Sequence, residues 1–568
     1  MTAPAHAAGT TGVLDPIASA PPNAEALRGT YDALSAQLDR VASNDDAHAF
    51  FAAWERERRI FASWKSLVEL RFRQDTRDEQ ARADADALNG LNVLTERRDA
   101  EIKRRLLASA HRPALERMLG SYLFKRWEND LASFDPVLEA DFIAESELVN
   151  EYTALLGGAR VAFRGESLPL AAMARFAEHD DRAVRRSASE ATWSFFGDNA
   201  ARLDDLFDRL VRCRATMANK LGLRTYAELA YRRMGRIDYD AADVARFRAE
   251  IRAEIVPLAQ EIAARQAAAL GIPALMPWDE QVFDARGRLR APASVDEMLA
   301  SLREAFTNLH PELGAFVDLM ADNGLMDLAA RDGKAGGAFC TSFPSLGLPY
   351  VFANVSGTSR DVATVVHETG HAFQDYSSRH KPALEYLIPT AEAGEIHSMS
   401  LEFLTFPQYD RFLGDDAGRF RAQHLATQLL MLPYIAAVDE FQERVYADPD
   451  TSAGERRAVW QQLEARYLPW RSSGGIPHIA AGGLWQRQSH IYAFPFYYID
   501  YGLAMCCALQ LWSRSAGDRA GALATYVALC ERGGELPFLS LVKSAGLRSP
   551  FESGALADVA ALAREFFA

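Results

Sequence analysis

The chain has 568 residues and a mass of 62.8 kDa, more than one hydrophobic core usually supports, so two or more lobes with a cleft between them are expected. Hydrophobic residues (49%) and charged residues (24%) occur in the proportions of an ordinary globular protein, which excludes a disordered or fibrous chain. The formal net charge of -15 argues against a nucleic-acid partner, because binding a phosphate backbone requires clustered Lys and Arg.

The N-terminal segment and the cysteines bear on the location of the protein. Residues 1–24 are rich in Ala, Pro, Gly and Thr, without the features of a secretion signal, and are predicted to be a disordered leader. No run of 18 or more apolar residues predicts a membrane span. The five cysteines favour a reducing compartment, and Cys506 and Cys507 are predicted to be core residues. We therefore expect a soluble cytoplasmic protein without a membrane partner.

Residues 25–200 are predicted to form an N-terminal helical region. Apolar residues recur there at three- and four-residue spacing, which indicates a buried helix face formed by Trp54, Phe61, Trp64 and Leu67. The segment RVAFRGESLPL (160–170) alternates in polarity and predicts a small hairpin that turns at Gly165. Further on, Pro273, Pro277 and residues 285–294 predict a connection and a domain edge.

Residues 201–568 form a second predicted region, whose middle is glycine-rich and almost free of charge. The stretch 333–359 contains a predicted strand, Pro349 to Val355, in a small sheet beside the helix that follows. An edge of this strand could pair with an extended peptide through main-chain hydrogen bonds. The residues predicted to contact such a ligand are Gly336, Gly337, Ala353 and Val355.

The segment SRDVATVVHETGHAFQDYSS predicts a helix capped by Thr358 or Ser359. His367 and His371 are four residues apart, so both imidazoles project from one helix face and can reach one metal ion. Glu368 lies beside that face, where it can touch a water on the metal without ligating the metal itself. A glycine at position 370 makes the helix less stable than alanine would, which suggests that another element packs closely there. The alternative is that both histidines lie in an ordinary helix–helix interface.

A second predicted helix follows in IPTAEAGEIHSMSLEFLTF (388–406). Glu395 is the predicted third metal ligand, because catalytic zinc typically keeps three protein ligands and an open position. Glu402, two turns further, is predicted to orient a ligand imidazole; the alternative is an exposed helix charge. His397 is about 200 degrees around the helix from Glu395 and should face away from the metal. One Zn²⁺ per chain is expected.

These motifs resemble the thimet oligopeptidase and oligoendopeptidase F family of zinc metallopeptidases. Four blocks match in order, namely GKAGGAFC, PYVFANVSGTSRDVATVVHETGHAF, AEAGEIHSMSLEF and SHIYAFPFYYIDYGLA. The resemblance implies a mainly helical fold, with two lobes flanking a deep channel that admits oligopeptides. It also implies that His367, His371 and Glu395 bind zinc and that Glu368 is the catalytic acid/base.

The last block contributes three further candidate catalytic residues. His490, Tyr497 and Tyr501 are similar to the family's residues that face the substrate carbonyl. Independently of the family, Pro495 can start a helix, on which the two tyrosines fall four apart and could hydrogen-bond an oxyanion. The alternative for these three residues is that they are half-buried core side chains. Upstream, RSSGGIPHIAAGGLW (471–485) predicts either a mobile loop over the channel or an inert surface loop.

The predicted reaction is hydrolysis of internal peptide bonds in short peptides, with Glu368 as general base and acid. One alternative is a peptidyl-dipeptidase or carboxypeptidase, which needs a cation to bind the substrate C-terminus; Arg466, Arg471 and Arg487 lie in a suitable region. Another is a catalytically silent peptide-binding protein, which has no need for an acid at position 368. The oligomeric state is left open.

Overall fold

The computed structural model describes residues 12–18 and 22–568, which form two compact units. Unit 1 consists of the described residues up to Leu131 together with Leu289–Phe420 and Arg514–Leu547. Unit 2 consists of Ala132–Arg288, Arg421–Ser513 and Arg548–Ala568. The predicted edge at 285–294 contains one change of unit, whereas the predicted boundary after residue 200 lies inside unit 2.

Five short strands form two sheets. In unit 2, β1 (Arg160–Phe163) and β2 (Glu166–Pro169) are antiparallel and turn through Gly165 at φ 83, so the predicted hairpin is confirmed. In unit 1, β3 (Met326–Ala329), β4 (Phe339–Phe343) and β5 (Leu348–Val355) have the order β3-β5-β4. β5 is parallel to β3 and antiparallel to β4, and it packs against the helix Ser359–Ser378.

Helices make up most of unit 1. The cap of the helix Asn44–Gln74 shows how the sequence begins such an element: Ser43 Oγ accepts from the Asp46 N–H (3.1 Å), and the Asp46 carboxylate accepts from the Ser43 N–H (2.9 Å). The helices lying wholly or mostly in unit 1 are Asp15–Ala18, Ala24–Leu38, Asn44–Gln74, Glu79–Leu107, Arg112–Leu119, Ser121–Ser133, Val295–Leu309, Pro311–Asp322, Ser359–Ser378, Ala391–Leu404, Asp410–Leu413, Arg519–Arg532 and Phe538–Ser544.

Unit 2 is helical apart from its hairpin. Its core includes a group of rings from distant segments, among them Phe207, Phe441 and Trp485, with centroids 4.8 to 6.2 Å apart. The helices lying wholly or mostly in this unit are Glu139–Gly157, Arg182–Asp198, Ala200–Lys220, Tyr226–Arg233, Ala241–Glu250, Val256–Ala269, Ala417–Ala447, Ala453–Tyr467, Pro477–Ala480, Ser489–Ala493, Tyr498–Gly517 and Ala557–Phe567, with a single π-helical turn at Ile251–Ile255.

The mainly helical fold with a small sheet beside the motif helix is therefore as predicted. The predicted helix face is also found, since Trp54, Trp64 and Leu67 are buried and Phe61 is half-buried. Cys506 and Cys507 are buried and free, as expected of core residues. Among the described helices, none is both long and apolar enough to cross a membrane.

The leader prediction needs correction where the structure describes it. Gly12–Leu14 and Asp15–Ala18 are short helical turns, and this segment packs on the helix Asn44–Gln74. Leu14 and Ile17 are buried, so apolar burial orders a stretch whose composition suggested disorder. Residues 22–24 are also described, and Asn23 caps the helix Ala24–Leu38, whereas residues 1–11 and 19–21 of the predicted leader lie outside the described residues.

Three N-terminal helices of unit 1 converge on Glu385, which lies in the connection between Ser359–Ser378 and Ala391–Leu404. Arg58 donates two hydrogen bonds to the Glu385 carboxylate (2.8 and 3.0 Å), Trp127 Nε1 donates a third (2.8 Å), and Lys103 Nζ lies 3.1 Å away. Burial alone would raise the pKa of Glu385, but Arg58 and Lys103 hold that pKa well below its ordinary value. This carboxylate thus stays charged inside the protein.

The backbone of the same connection is fixed as well. The Leu384 N–H donates to Glu55 Oε2 (2.7 Å), and Arg126 Nη1 donates to the Glu385 carbonyl oxygen (2.6 Å). The N-terminal helices therefore hold the backbone of the segment that joins the two helices.

Replacing Glu385 with Gln is expected to destabilise unit 1. The variant removes the carboxylate charge that Arg58 and Lys103 share, while Arg58 keeps Glu55 and Lys103 keeps Asp130, so the loss should reach at most the roughly 3–5 kcal/mol of a buried pair broken on one side. Urea unfolding followed by tryptophan fluorescence measures the loss. Glu101→Gln is the control, because Glu101 forms an exposed pair with Arg98 at 3.7 Å, which contributes little. Equal unfolding midpoints for the two variants would contradict the argument.

Candidate metal centre

The HExxH helix is Ser359–Ser378, and its cap fixes where it starts. Thr358 occupies the cap position and its N–H donates to Asp361 Oδ2 (2.8 Å), so of the two predicted caps it is Thr358 that serves. One face of the helix is anchored in the core by three buried valines, Val362, Val365 and Val366. The motif histidines follow on this anchored helix.

His367 and His371 project from successive turns, with ring centroids 5.0 Å apart and planes at 80 degrees. Glu395, on the helix Ala391–Leu404 (the Glu395 helix), has its Oε2 3.4 Å from His367 Nε2 and 3.5 Å from His371 Nε2. Donor atoms bonded to one tetrahedral zinc at about 2.1 Å lie roughly 3.4 Å apart. The three side chains therefore fit a single zinc ion as a His₂Glu set, and they form a candidate metal group among the described residues.

Two hydrogen bonds orient the candidate ligands. His367 Nδ1 lies 2.7 Å from Glu402 Oε1, so Nδ1–H donates to the carboxylate and the Nε2 lone pair is directed towards Glu395. Glu402 is buried, which makes the alternative of an exposed helix charge wrong. On the other ligand, Ser398 Oγ donates to Glu395 Oε2 (3.1 Å). Both contacts hold side chains in a geometry that a metal requires.

Gly370 brings the HExxH helix and the Glu395 helix unusually close together. A Cβ atom at Gly370 would lie 2.7 Å from Ser398 Cα and 2.9 Å from the His397 carbonyl oxygen, distances that real Cβ atoms do not adopt. The close packing predicted from this mid-helix glycine is therefore found. It allows the Glu395 carboxylate to reach both imidazoles.

Glu368 is buried on the same helix, with only 7% of its surface exposed. Burial raises the pKa of the Glu368 carboxyl, and the neighbouring imidazoles of His367 and His371 act in the opposite direction. A carboxyl whose pKa is raised holds a proton more readily than an exposed carboxyl does, which helps a general acid. Its position and its environment suit a general acid and base.

The charge state of Glu395 follows from its neighbours. Burial alone would raise the pKa of the Glu395 carboxyl, but the neighbouring imidazoles of His367 and His371 hold it below its ordinary value. Glu395 is therefore an anion, the form in which a carboxylate binds a metal.

His397 is not part of the metal group, as the helix geometry predicts. It is fully buried, and its Nδ1 lies 3.6 Å from Cys530 Sγ. Burial lowers the pKa of His397 to about 3, so the ring is neutral. This histidine is a core residue of unit 1.

The strand from Pro349 to Val355 offers little free edge for the predicted pairing with a peptide. β5 lies between β3 and β4, β4 pairs with it along Leu348–Phe352, and the Ala353 carbonyl accepts from Lys334 Nζ (2.6 Å). Val355 is paired with Ala329 of β3. The strand was correctly located, but its place in the sheet depends on partners that are distant in sequence.

The outer strand β4 is flanked by the helix Asn44–Gln74. The Ser345 N–H donates to Ser63 Oγ (2.8 Å), and the Ala335 N–H donates to the Arg73 carbonyl oxygen (2.8 Å). Gly336 and Gly337 precede β4, and a Cβ atom at either would meet nothing within 4 Å. These two glycines remain predicted contacts for a peptide.

In unit 2, His490, Tyr497, Tyr498 and Tyr501 form a group of rings that we call the His490 cluster. The His490 ring stacks on Tyr497 (5.8 Å, 13 degrees) and meets Tyr501 edge-on (6.0 Å, 86 degrees). All four side chains are half-buried, which fits both the predicted catalytic role and the alternative of half-buried core residues. The structure therefore brings the three candidates of the last block together and adds Tyr498, 4.9 Å from His490.

The predicted start of the following helix at Pro495 is wrong by three residues. The helix is Tyr498–Gly517, because Phe496 is in the left-handed region at φ 65, which a helix cannot contain. Tyr497 thus precedes the helix while Tyr501 lies within it, yet their rings are 5.4 Å apart. The two tyrosines meet by way of a turn, not along one helix face.

The segment 471–485 is packed, so both predicted loop types are wrong. Ile476, Ile479, Leu484 and Trp485 are buried, and the short helix Pro477–Ala480 lies within it. Its glycines allow close contacts; a Cβ at Gly482 would lie 2.5 Å from the Arg457 carbonyl oxygen.

Two polar residues that bear on His490 were not predicted from the sequence, namely its partner Gln488 and the partner of Gln488, Tyr434. Gln488 Nε2 lies 2.7 Å from His490 Nδ1, and the Tyr434 hydroxyl lies 3.0 Å from Gln488 Oε1. Gln488 is only two residues from His490 and could have been considered. Tyr434 is 56 residues upstream and gave no local signal.

Comparison with known proteins agrees over nearly the whole chain. Residues 175–560 match the model of peptidase family M3, and residues 15–134 match the peptidase M3 N-terminal domain. A search among curated proteins gave no match.

Several solved structures are similar to this chain. One assigned as an oligoendopeptidase F is 40% identical with a TM-score of 0.89, covering 96% of this chain and 97% of that one. Pz peptidase A, solved with an inhibitor, is 36% identical with a TM-score of 0.89 and the same coverage. A structure from Bacillus anthracis str. Ames, also assigned as an oligoendopeptidase F, is 34% identical with a TM-score of 0.84, covering 96% of each chain.

The mainly helical fold, the His-Glu-x-x-His helix and these likenesses define the chain as a metallopeptidase. It belongs to peptidase family M3, as both family models show. The resemblance to oligoendopeptidase F drawn from the four sequence blocks is thereby confirmed.

Replacing Gly370 with Ala is expected to destabilise the protein. Helix propensity alone favours Ala by about 1 kcal/mol, but the new Cβ would meet the Ser398 backbone at 2.7 Å and force the two helices apart. A lowered thermal unfolding temperature, followed by circular dichroism, is the expected result.

Gly90→Ala is the matched control, since Gly90 lies within the helix Glu79–Leu107 and a Cβ there would meet nothing within 4 Å. This change should stabilise the protein by about 0.5–1 kcal/mol. If both variants raised the unfolding temperature, the close helix contact would not constrain position 370.

Proposed function

We propose that this chain is a zinc-dependent endopeptidase that hydrolyses internal bonds of short peptides. The observation that carries the proposal is the group of His367, His371 and Glu395, whose donor atoms lie within 4.8 Å of one another, with Glu368 on the adjoining helix position. Membership of peptidase family M3 supports the same reaction class.

His367, His371 and Glu395 would hold one Zn²⁺, and their neutral-imidazole and carboxylate donors suit that ion. When bound, zinc supplies a Lewis acid that polarises the scissile carbonyl and makes a water molecule more acidic. Glu402 contributes by keeping the His367 proton on Nδ1, so that Nε2 presents its lone pair.

Glu368 is proposed to move the protons of the reaction. As a carboxylate it accepts a proton from the attacking water, and as a carboxylic acid it delivers that proton to the leaving amine nitrogen. Burial raises the pKa of Glu368, which favours its protonated form relative to an exposed glutamate. A surface glutamate would remain ionised and would be a poorer acid in the second step.

The His490 cluster is proposed to contribute hydrogen-bond donors to the carbonyl oxygen of the substrate. Its side chains are half-buried and mutually oriented by ring contacts, and the resemblance assigns His490, Tyr497 and Tyr501 to this role. Donors that are held in place stabilise a developing oxyanion without having to reorganise.

One structural feature favours an endopeptidase over a peptidyl-dipeptidase or carboxypeptidase. A C-terminal carboxylate receptor needs a cation that is not already neutralised, but Arg466 pairs with Glu440 (2.8 Å) and Arg471 forms a bidentate pair with Glu280 (2.7 and 2.8 Å). The guanidinium of Arg487 lies over the Trp193 ring and also interacts with the Tyr434 hydroxyl. Two of the three arginines considered for this task, Arg466 and Arg471, are therefore neutralised by carboxylates, whereas Arg487 keeps its charge.

Glu368→Gln is the test of the mechanism. The amide cannot accept the water proton, so turnover of a quenched-fluorescence peptide should fall at least 10²-fold while bound zinc stays at one ion per chain. Glu531→Gln, at an exposed position of the helix Arg519–Arg532, makes the same chemical change and should cleave normally. Parent-like cleavage by Glu368→Gln would remove Glu368 from the reaction.

Glu395→Ala is the test of the metal site. Loss of one of three ligands should lower the zinc content measured by elemental analysis and should also abolish cleavage. Unchanged zinc in this variant would remove Glu395 from the ligand set.

The cleavage products distinguish the alternatives. A defined peptide mixture analysed by mass spectrometry should yield internal fragments. Regular removal of C-terminal dipeptides would instead identify a peptidyl-dipeptidase, and no cleavage at all would identify a silent peptide-binding protein.

A further inference from the structure

Three polar side chains of unit 2 form a chain of hydrogen bonds that ends on the imidazole of His490. The Tyr434 hydroxyl lies 3.0 Å from Gln488 Oε1, and Gln488 Nε2 lies 2.7 Å from His490 Nδ1. Both distances are those of good hydrogen bonds. We call these residues the Tyr434–Gln488–His490 chain.

The direction of this chain is set at its far end by a cation. The Arg487 guanidinium, a cation that has only N–H donors, acts on the Tyr434 hydroxyl and opposes the rise of its pKa, so the phenol oxygen faces donors on that side. Arg471 also lies over the Tyr434 ring, 5.5 Å from its centre. Burial raises the pKa of Tyr434, so the hydroxyl keeps its proton and donates it to Gln488.

The orientation of the Gln488 amide follows. Its Oε1 accepts from Tyr434, which turns the NH₂ group towards His490, and the reversed amide would face the Tyr434 proton with another donor. Nδ1 of His490 must then accept a hydrogen bond. A neutral imidazole carries one proton, which is therefore on Nε2.

The surroundings keep the ring neutral and in place. Burial lowers the pKa of His490, which disfavours the doubly protonated ring. The backbone N–H of Gln488 donates to the Trp485 carbonyl oxygen (2.9 Å), and the imidazole is stacked on Tyr497 at 5.8 Å. Gln488 and His490 therefore meet in a single geometry.

We propose that Gln488 is a positioning residue that fixes His490 in its Nε2–H tautomer, so that His490 acts as a neutral hydrogen-bond donor to the carbonyl oxygen of a bound peptide. This inference rests on the proposed peptidase function for its substrate, but the tautomer itself is a property of unit 2. With the other tautomer, Nε2 would present a lone pair to the carbonyl oxygen and would repel it.

Gln488→Glu is the principal test, because a carboxylate of nearly the same shape accepts a hydrogen bond where the amide donates one. It should reverse the tautomer to Nδ1–H. Long-range ¹H–¹⁵N NMR on histidine-labelled protein, with the His490 signal assigned from His490→Asn, reports both the tautomer and the charge of the ring. Spectra and kinetics are recorded at a pH where the signal shows a neutral ring.

The expected result is an Nε2–H signal in the parent protein, an Nδ1–H signal in Gln488→Glu, and a kcat lowered by roughly 10²-fold, with KM changed less than about 3-fold. Gln462→Glu adds the same charge at an exposed position of the helix Ala453–Tyr467 and should match the parent in both measurements. Tyr434→Phe removes the donor that orients the amide and should give a mixture of tautomers with a smaller loss of kcat.

An Nδ1–H signal in the parent protein would overturn the inference, as would a reversed tautomer with parent kcat. If Gln488→Glu does not fold, judged by circular dichroism, Gln488→Met and Tyr434→Phe provide the same comparison with a disordered tautomer instead of a reversed one. Failure of the proposed function would appear separately, as a parent protein that cleaves no peptide while its tautomer is still Nε2–H.

Discussion

The close approach of two helices at Gly370 is the constraint on which the candidate metal centre depends. The HExxH helix supplies two imidazoles and the Glu395 helix supplies one carboxylate, and these donors converge only if the backbones nearly touch. A residue with a Cβ atom at position 370 would collide with Ser398, whose hydroxyl also orients Glu395. One missing side chain thus determines the spacing between helices, and that spacing determines the distances of 3.4 and 3.5 Å from the carboxylate to the imidazoles.

The N-terminal helices of unit 1 also help to hold the two ligand-bearing helices in place, because they bind the segment that joins them. They carry none of the candidate ligands, yet Arg58, Lys103 and Trp127 hold Glu385 in the connection between the two ligand-bearing helices. A buried carboxylate surrounded by several donors is expensive to displace, because leaving it or its cations unpaired costs several kcal/mol. The N-terminal helices of unit 1 therefore do more than form a core: they hold the segment that joins the two helices that meet at Gly370.

Unit 2 orders its His490 cluster by a different device, a strained turn. Phe496 adopts a left-handed backbone conformation that costs a bulky residue about 1–3 kcal/mol. The conformation persists because the Phe496 N–H donates to Gln442 Oε1 (2.9 Å), its carbonyl accepts from Arg236 (2.7 Å), and its ring is buried. This turn lets Tyr497 stack on His490 while Tyr501 approaches from the next helix. Strain in one residue thus aligns three side chains.

Features that depend on residues a few positions apart were predictable from the sequence. These include the capped HExxH helix with its histidines on one face, the hairpin at Gly165, and the downstream helix carrying Glu395 and Glu402. The sequence also indicated the close packing at Gly370, because a glycine in mid-helix needs a reason. Three features became visible only in the tertiary structure. β5 is an inner strand, the segment 471–485 is packed, and Tyr434 hydrogen-bonds to Gln488, the partner of His490. Helical and hairpin periodicity follows from local backbone geometry, so a local sequence pattern predicts it. Strand order, left-handed turns such as Phe496 and buried chains of hydrogen bonds depend on residues far along the chain. A local pattern contains no information about those residues.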